Sequence, residues 1–169
     1  MAEAGILGPD DRVELLEGEV VRMSPIGYRH ALIVARFARM FTLALQDRAE
    51  VWTQNPVVLD DHSEPEPDVA VIRREHERDL RDHPWASDTF LIVEVADTSL
   101  RHDRDVKLPL YAAAGVPEVW LVDLIAANVT VYRRPHEGRY ESMERLERSQ
   151  NVTPQAFPDL SVGLDDLLR

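Results

Sequence analysis

The order of the predicted elements indicates a mixed α/β (α+β) fold, with one mixed β-sheet flanked by helices. A hairpin and a long helix come first, followed by a group of strands, a second helix and further strands. The chain has 169 residues, which is enough to bury a core without a second domain. We therefore expect a single domain over residues 1–169.

In the first half of the chain, the apolar residues follow a helical period in one segment and a strand period in another. Apolar residues alternate on both sides of Glu17 and Gly18, which predicts a hairpin from residues 12–16 and 19–23. Over residues 28–47 they recur every three or four positions, which predicts a long helix with one apolar face. Segments rich in β-branched or aromatic residues predict strands at 51–54, 56–59, 68–72 and 89–96. The charged, non-periodic residues 73–88 predict a surface loop.

The second half begins with a predicted helix over residues 103–114, because Gly115 and Pro117 follow as stop signals. Pro109 interrupts this stretch, and proline is tolerated only in the first turn of a helix. Either the helix begins after residue 103 or it is kinked. Residues 119–122 and 128–134 predict a strand pair, and residues 139–146 suggest a third strand.

Composition narrows the functional classes. The chain has no cysteine, which excludes disulfides, thiolate zinc sites and a cysteine nucleophile. Neither a signal peptide nor a membrane span is predicted, so we expect a cytoplasmic protein. With 31 acidic and 19 basic side chains the formal charge is −12. This charge disfavours a simple DNA-binding module unless a bound metal or a basic patch offsets it.

Two carboxylates in predicted strands point to a metal site. Glu94 interrupts the apolar run 91–95, and a buried carboxylate must be paired, protonated or bound to a cation. The alternative is a glutamate at a strand edge, paired with an arginine. Asp68 opens another strand after Pro67 and alone would indicate turn chemistry. If the two strands are neighbours, the two carboxylates together suit a hard cation such as Mg²⁺.

Lys107 lies near the start of the helix that follows Glu94. From there its long stem would reach back over the end of the Glu94 strand, where an ammonium stabilises phosphate charge or positions water. The alternative is a solvated helix lysine paired with Asp103 at helical spacing.

Several segments together resemble a known family. They are Pro67-Asp68, then Leu91-Ile92-Val93-Glu94-Val95-Ala96-Asp97, then Asp103 and Lys107, and then Tyr111-Ala112-Ala113-Ala114-Gly115-Val116-Pro117-Glu118-Val119-Trp120-Leu121-Val122-Asp123. In this order they resemble the Uma-two family of restriction-endonuclease-like proteins, which belongs to the PD-(D/E)XK nuclease superfamily. The opening residues 14–21, with Met23, Ser24, Pro25 and His30, extend the resemblance over most of the chain.

The resemblance implies a restriction-endonuclease-like core and a metal-dependent endonuclease that cuts nucleic acid, with DNA as the first expectation. Asp68 and Glu94 would hold Mg²⁺, or Mn²⁺ in its place, and Lys107 would be the catalytic lysine, with Glu19 and His30 as helpers. The superfamily usually carries its lysine two residues after the second carboxylate, where this chain has Ala96. The family carries it on the following helix, which Lys107 matches. On this assignment Lys107→Met should abolish cleavage and leave metal affinity nearly intact.

Two further expectations depend on the same resemblance. Small nuclease-like domains often cut duplexes as symmetric pairs, so a homodimer is expected by analogy. The alternative function is an inactive nuclease-like binding or assembly protein, because a fold can be retained after its chemistry is lost. A positive cleft beside Glu94 would favour the enzyme over this alternative.

Overall fold

The computed structural model describes residues 12–23, 25–74 and 83–169. In chain order, the strands in these ranges are β1 (Val13–Leu16), β2 (Glu19–Arg22), β3 (Glu50–Thr53), β4 (Val69–Ile72), β5 (Thr89–Ala96), β6 (Glu118–Asp123), β7 (Asn128–His136), β8 (Arg139–Glu147), β9 (Asn151–Val152) and β10 (Val162–Gly163). The α-helices are α1 (Tyr28–Leu45), α2 (Leu100–His102), α3 (Leu108–Ala113) and α4 (Leu164–Leu167).

Six strands form the main sheet, in the order β3-β4-β5-β6-β7-β8. Only β5 and β6 run parallel, and the helical segment from α2 to α3 forms the crossover that a parallel pair requires. The other neighbours are antiparallel. Every residue of β4 is buried, as expected for a strand covered on both faces. The predicted mixed sheet flanked by helices is confirmed.

One face of the sheet is covered by α1. Its buried side chains recur at three- and four-residue spacings, as the sequence predicted, and include Phe37 and Phe41. The Phe41 ring lies 5.7 Å from the ring of Trp120 on β6, measured between centroids. The opposite face packs against α3 through Tyr111 and Ala112, which belong to a second cluster of buried residues. The sheet is therefore the central layer, and its central strands have little exposed surface.

The crossover helix begins earlier than predicted and changes its winding before Pro109. It starts at Leu100 instead of residue 103, and Asp103–Lys107 forms a π-helical turn between α2 and α3. Within that turn the Leu108 N–H donates to the carbonyl of Asp103. Proline lacks an N–H and clashes with the carbonyl four residues before it, and a wider π turn relieves both problems. Pro109 thus occupies the first turn of α3.

The predicted strand at residues 56–59 is wrong. The Val57 N–H donates to the Pro65 carbonyl and the Leu59 N–H donates to the Ser63 carbonyl, so the segment forms a local loop. A single isolated bridge joins Val58 to Trp85. Pro56 also has no N–H to offer a ladder. The β-branched composition of the segment reflects burial of Val57, which is fully enclosed.

The other predicted elements lie within a few residues of the observed ones, including the hairpin of β1 and β2 and the strands β6 to β8. Half of the predicted surface loop at 73–88, residues 75–82, lies outside the described residues. Ala86–Asp88 forms a short 3-10 turn. In the described parts of the chain, no helix combines the length and apolar character needed to cross a bilayer.

Candidate active site

A cleft of about 510 Å³ opens where β4 and β5 meet the hairpin, the first turn of α1 and the π turn. Asp68, Glu94 and Lys107, the three residues singled out from the sequence, all line it. Its size lies within the range typical of ligand pockets. Asp68 immediately precedes β4 and Glu94 lies on β5, while the crossover helix supplies the ammonium.

Asp68 and Glu94 are brought side by side by the pairing of β4 with β5. The register that joins Val69 to Val93 places Asp68 opposite Glu94, so both side chains lie on one face of the sheet. The Asp68 N–H lies 3.4 Å from Glu94 Oε2, and the Val95 N–H donates to Asp68 Oδ2 at 2.8 Å. The two carboxylates are therefore neighbours, as the sequence predicted.

His30, in the first turn of α1, holds Asp68. Its Nε2 lies 3.0 Å from Asp68 Oδ2, and both side chains are largely buried. The hydrogen bond to Asp68 raises the pKa of His30, against the opposing effect of burial. Its Nδ1 is buried without a hydrogen-bond partner among the described residues. The expected helper therefore contacts a predicted ligand directly.

Glu94 is buried and receives two short hydrogen bonds at the same oxygen. Lys107 Nζ and the Tyr111 hydroxyl each lie 2.6 Å from Glu94 Oε1. Burial raises the pKa of Glu94 to about 8, with the neighbouring Asp103 and Asp68 charges adding to the effect and Lys107 opposing it. The alternative of an arginine-paired glutamate at a strand edge is wrong, because the partner is Lys107 and the strand is central.

Lys107 is enclosed, with 3% of its surface exposed, so the alternative of a solvated helix lysine is wrong. Its Nζ lies 2.6 Å from Glu94 Oε1, 3.4 Å from Glu14 Oε2 and 3.4 Å from the Glu66 carbonyl oxygen. Burial by itself would lower the pKa of Lys107, but the carboxylates of Glu94, Glu14 and Asp103 outweigh it and raise that pKa. The group is an ammonium throughout the physiological range.

Three participants were not assigned to the site from the sequence, because the role of each depends on tertiary packing. Glu14 reaches Lys107 from the hairpin, Tyr111 donates to Glu94 from α3, and Asp103 is buried beside them with a pKa that burial raises. One sequence signal was available for the lysine. Lys107 is the only lysine among 19 basic residues, since every other one is arginine.

Glu19, the other expected helper, lies away from the cleft. It is exposed on β2 at the turn end of the hairpin, where it pairs with Leu16, and it is not among the residues that line the cleft. In a strand, side chains alternate between faces and a change of register moves a residue to the other side. The hairpin carboxylate that enters the site is Glu14 instead.

The lining of the cleft is acidic. Among the described residues, six carboxylates and three permanent cations line it: Glu14, Glu66, Asp68, Glu94, Asp97 and Asp103 against Arg12, Arg22 and Lys107. In the part of the chain that the structure describes, the positive cleft that would have favoured the enzyme is therefore not found. A phosphate backbone would meet repulsion here unless cations offset the charge.

The donor set of the carboxylate pair fits a hard cation. Asp68 Oδ1 and Glu94 Oε2 each have one described hydrogen-bond donor, Gln54 Nε2 and the Asp68 N–H respectively, both at the long distance of 3.4 Å. Mg²⁺ is commonly held by one or two carboxylates with water and substrate oxygens completing the shell. In residues 12–23, 25–74 and 83–169, no group of three or more His, Asp or Glu side chains could hold an ion alone.

The sheet, the crossover helix and the carboxylate pair define the class of protein, which is nuclease-like in fold. The structure is similar to that of a protein from Anabaena variabilis ATCC 29413 described as "a putative nuclease belonging to DUF820", with a TM-score of 0.80 and 19% sequence identity. The similarity covers 98% of this chain and 94% of that one. No curated protein matches the chain.

The family follows from the sequence match. The model of the Uma2 family, described as "Putative restriction endonuclease", matches residues 3–165. The chain belongs to this family, as its segments around Asp68, Glu94 and Lys107 predicted.

Proposed function

We propose that the protein is a metal-dependent endonuclease that hydrolyses phosphodiester bonds in nucleic acid. The observation that carries the proposal is the position of Asp68 beside Glu94 on neighbouring strands, with the single lysine of the chain 2.6 Å from Glu94. Membership of a family described as "Putative restriction endonuclease" supports DNA as the first substrate to test.

Asp68 and Glu94 would hold Mg²⁺ or Mn²⁺ through oxygen. When bound, such an ion supplies Lewis acidity for attack of water on phosphorus and shields the developing charge. His30 orients Asp68 through its 3.0 Å contact, and Tyr111 orients Glu94 through its hydroxyl. Lys107 contributes fixed positive charge to the lining of the cleft, where preorganised charge would stabilise a phosphate-centred transition state.

The proposal includes a homodimer of single-domain subunits, since two symmetric active sites suit the cutting of both strands of a duplex. Light scattering of the purified protein, alone and with duplex DNA, would measure the stoichiometry. If the protein is a monomer in both conditions, the proposal is limited to an enzyme that cuts one strand at a time.

A second candidate function is an inactive nuclease-like protein that binds or assembles with a partner. Two observations favour it: the acidic lining of the cleft and the contacts of Lys107. An ammonium has three N–H donors, and three oxygens surround this one, on Glu94, Glu14 and the Glu66 backbone. A phosphate would have to compete with these three oxygens for the ammonium.

Cleavage assays on plasmid, duplex, single-stranded DNA and RNA, each with Mg²⁺, Mn²⁺ or chelator, decide between the two. The enzyme predicts metal-dependent cleavage that Asp68→Asn and Glu94→Gln abolish. Glu144→Gln, an exposed carboxylate on β8, is the matched control and should cut as the parent does. Absence of cleavage on all substrates, together with retained Mn²⁺ binding by the parent, would favour the second candidate.

A further inference from the structure

The N-terminal hairpin carries one buried carboxylate among exposed ones. Glu14 is 6% exposed, whereas Glu17 and Glu19 of the same hairpin are exposed to solvent. A carboxylate is removed from water at a high cost unless charged or polar groups replace its hydration. The burial of Glu14 therefore requires partners inside the protein.

Those partners lie on three separate segments. Glu14 Oε2 lies 3.4 Å from Lys107 Nζ and accepts from the Glu66 N–H at 3.4 Å, and Glu14 Oε1 lies 3.3 Å from His102 Nε2. The carboxylate thus joins the hairpin to the crossover helix and to the segment before β4. It connects the hairpin to the proposed active site.

The hairpin is held in place independently of this contact. Leu15 exchanges two backbone hydrogen bonds with Glu64, and the Gly18 N–H donates to the His62 carbonyl at 2.7 Å. The Glu17 N–H donates to Ser63 Oγ at 3.1 Å. The backbone of β1 is therefore fixed against the loop before β4, and the Glu14 carboxylate is presented from a rigid support.

Lys107 needs such a support because its side chain is long and has many rotamers. Two carboxylates contact its ammonium, and only one of them, Glu94, belongs to the proposed ion site. Glu14 is not a ligand in the proposed ion site, so its charge is available to Lys107. We propose that Glu14 is a positioning residue that fixes the Lys107 ammonium, so that the N-terminal hairpin is a working part of the active site.

The proposal concerns the proposed nuclease site, and one part of its test does not depend on activity. Lysine labelled with nitrogen-15 gives a single side-chain ammonium signal, since Lys107 is the only lysine. Glu14→Gln should shift or broaden that signal. Glu14→Asp should also shift it, because the shorter side chain keeps the negative charge but places it farther from the ammonium. Glu19→Gln, an exposed carboxylate of the same hairpin, should leave the signal unchanged.

The kinetic part separates positioning from simple stabilisation of the fold. In Mn²⁺, Glu14→Gln should lower kcat about 10- to 100-fold, the effect of losing a contact between charged groups, with KM and the Mn²⁺ midpoint within about twofold. Circular dichroism checks that each variant is folded, and Glu14→Asp serves if Glu14→Gln does not fold.

Identical ammonium signals in the parent, Glu14→Asp and the folded Glu14→Gln variant would overturn the proposal. So would an equal loss of kcat in Glu14→Gln and Glu19→Gln. If the parent cleaves no nucleic acid, the proposed function fails, while the ammonium signals still decide whether Glu14 positions Lys107.

Discussion

Replacing Lys107 by methionine tests how the site balances its own ammonium against a bound cation. Methionine keeps an unbranched apolar stem and removes the charge. In the parent, Glu94 and Glu14 lie 2.6 Å and 3.4 Å from Nζ, and their side chains are 4% and 5% exposed. Removing one partner of a buried ion pair costs about 3–5 kcal/mol of unfolding free energy. We expect a loss of this order in chelator.

The pH window of this loss follows from the raised pKa of Lys107. A cation whose pKa is higher in the folded state contributes its stability fully below the pKa of the unfolded chain, which is about 10.4 for lysine. The contribution is lost only as the pH rises through the folded-state pKa. Lys107→Met should therefore be less stable than the parent throughout the neutral and mildly alkaline range.

The same substitution should strengthen metal binding instead of leaving it nearly intact. The expectation from the sequence did not include a direct contact between Lys107 and Glu94. Two unit charges about 4 Å apart at an effective dielectric constant of about 20 interact by roughly 4 kcal/mol. Even part of this repulsion, once removed, makes Mn²⁺ binding about tenfold tighter at a pH where Glu94 is ionised in both proteins. Since Lys107 lowers the pKa of Glu94, the comparison is made at a pH above that pKa. Cleavage should nevertheless be abolished.

Titration calorimetry with Mn²⁺ and denaturant unfolding in chelator give the two quantities. Arg104→Met is the matched control, because Arg104 lies in the same π turn with half of its side chain exposed. If Lys107→Met does not fold in chelator, its Mn²⁺-dependent refolding gives the same comparison. Unchanged Mn²⁺ affinity and unfolding free energy in Lys107→Met would refute the charge coupling between Lys107 and the carboxylates.

Three further predictions concern Glu94 and its contacts. Glu94→Gln should lose the stabilisation that Mn²⁺ gives the parent. In chelator, the raised Glu94 pKa of about 8 stabilises the parent at a pH below the ordinary carboxyl pKa, and this stabilisation is lost as the pH rises through the folded-state pKa. The melting temperature of the variant should therefore rise relative to that of the parent between about pH 5 and about pH 9. Parallel pH profiles would contradict this. Mn²⁺ affinity of the parent should rise up to about tenfold per pH unit towards pH 8 and then level off, and a flat calorimetric profile would contradict the role of Glu94. Tyr111→Phe removes the hydroxyl that donates to Glu94 and should cost about 1–3 kcal/mol in urea unfolding, whereas an unchanged midpoint would show that this bond contributes nothing.

The elements predicted well are those whose signal is local. The apolar stripe of α1, ending near Leu45, and the apolar run of β5 follow from periodicity and composition in one stretch of chain. The loop at 56–59 was misassigned because burial of Val57 imitates a strand, while its backbone partners lie on Pro65 and Ser63. Partners outside the segment cannot be identified from its composition.

The same distinction between local and long-range information separates the site residues that the sequence predicted from those that it did not. Asp68, Glu94 and Lys107 were found because their order in the chain resembles a family, which carries long-range information that periodicity lacks. Glu14 was not singled out, since nothing in the hairpin sequence distinguishes it from Glu17 or Glu19. Its burial depends on docking of the hairpin against Glu64 and the π turn.

The single lysine shows why the residue type at this position matters. The chain uses arginine at all of its other basic positions, so an ammonium at residue 107 is an exception that the surroundings explain. Three oxygens from different segments surround Nζ, and a compact group with three donors can reach all three. A guanidinium is larger and planar and directs its donors in a fixed fork. Arginine at residue 107 would keep the charge but displace Glu14 or Glu94, so Lys107→Arg is not a conservative substitution here.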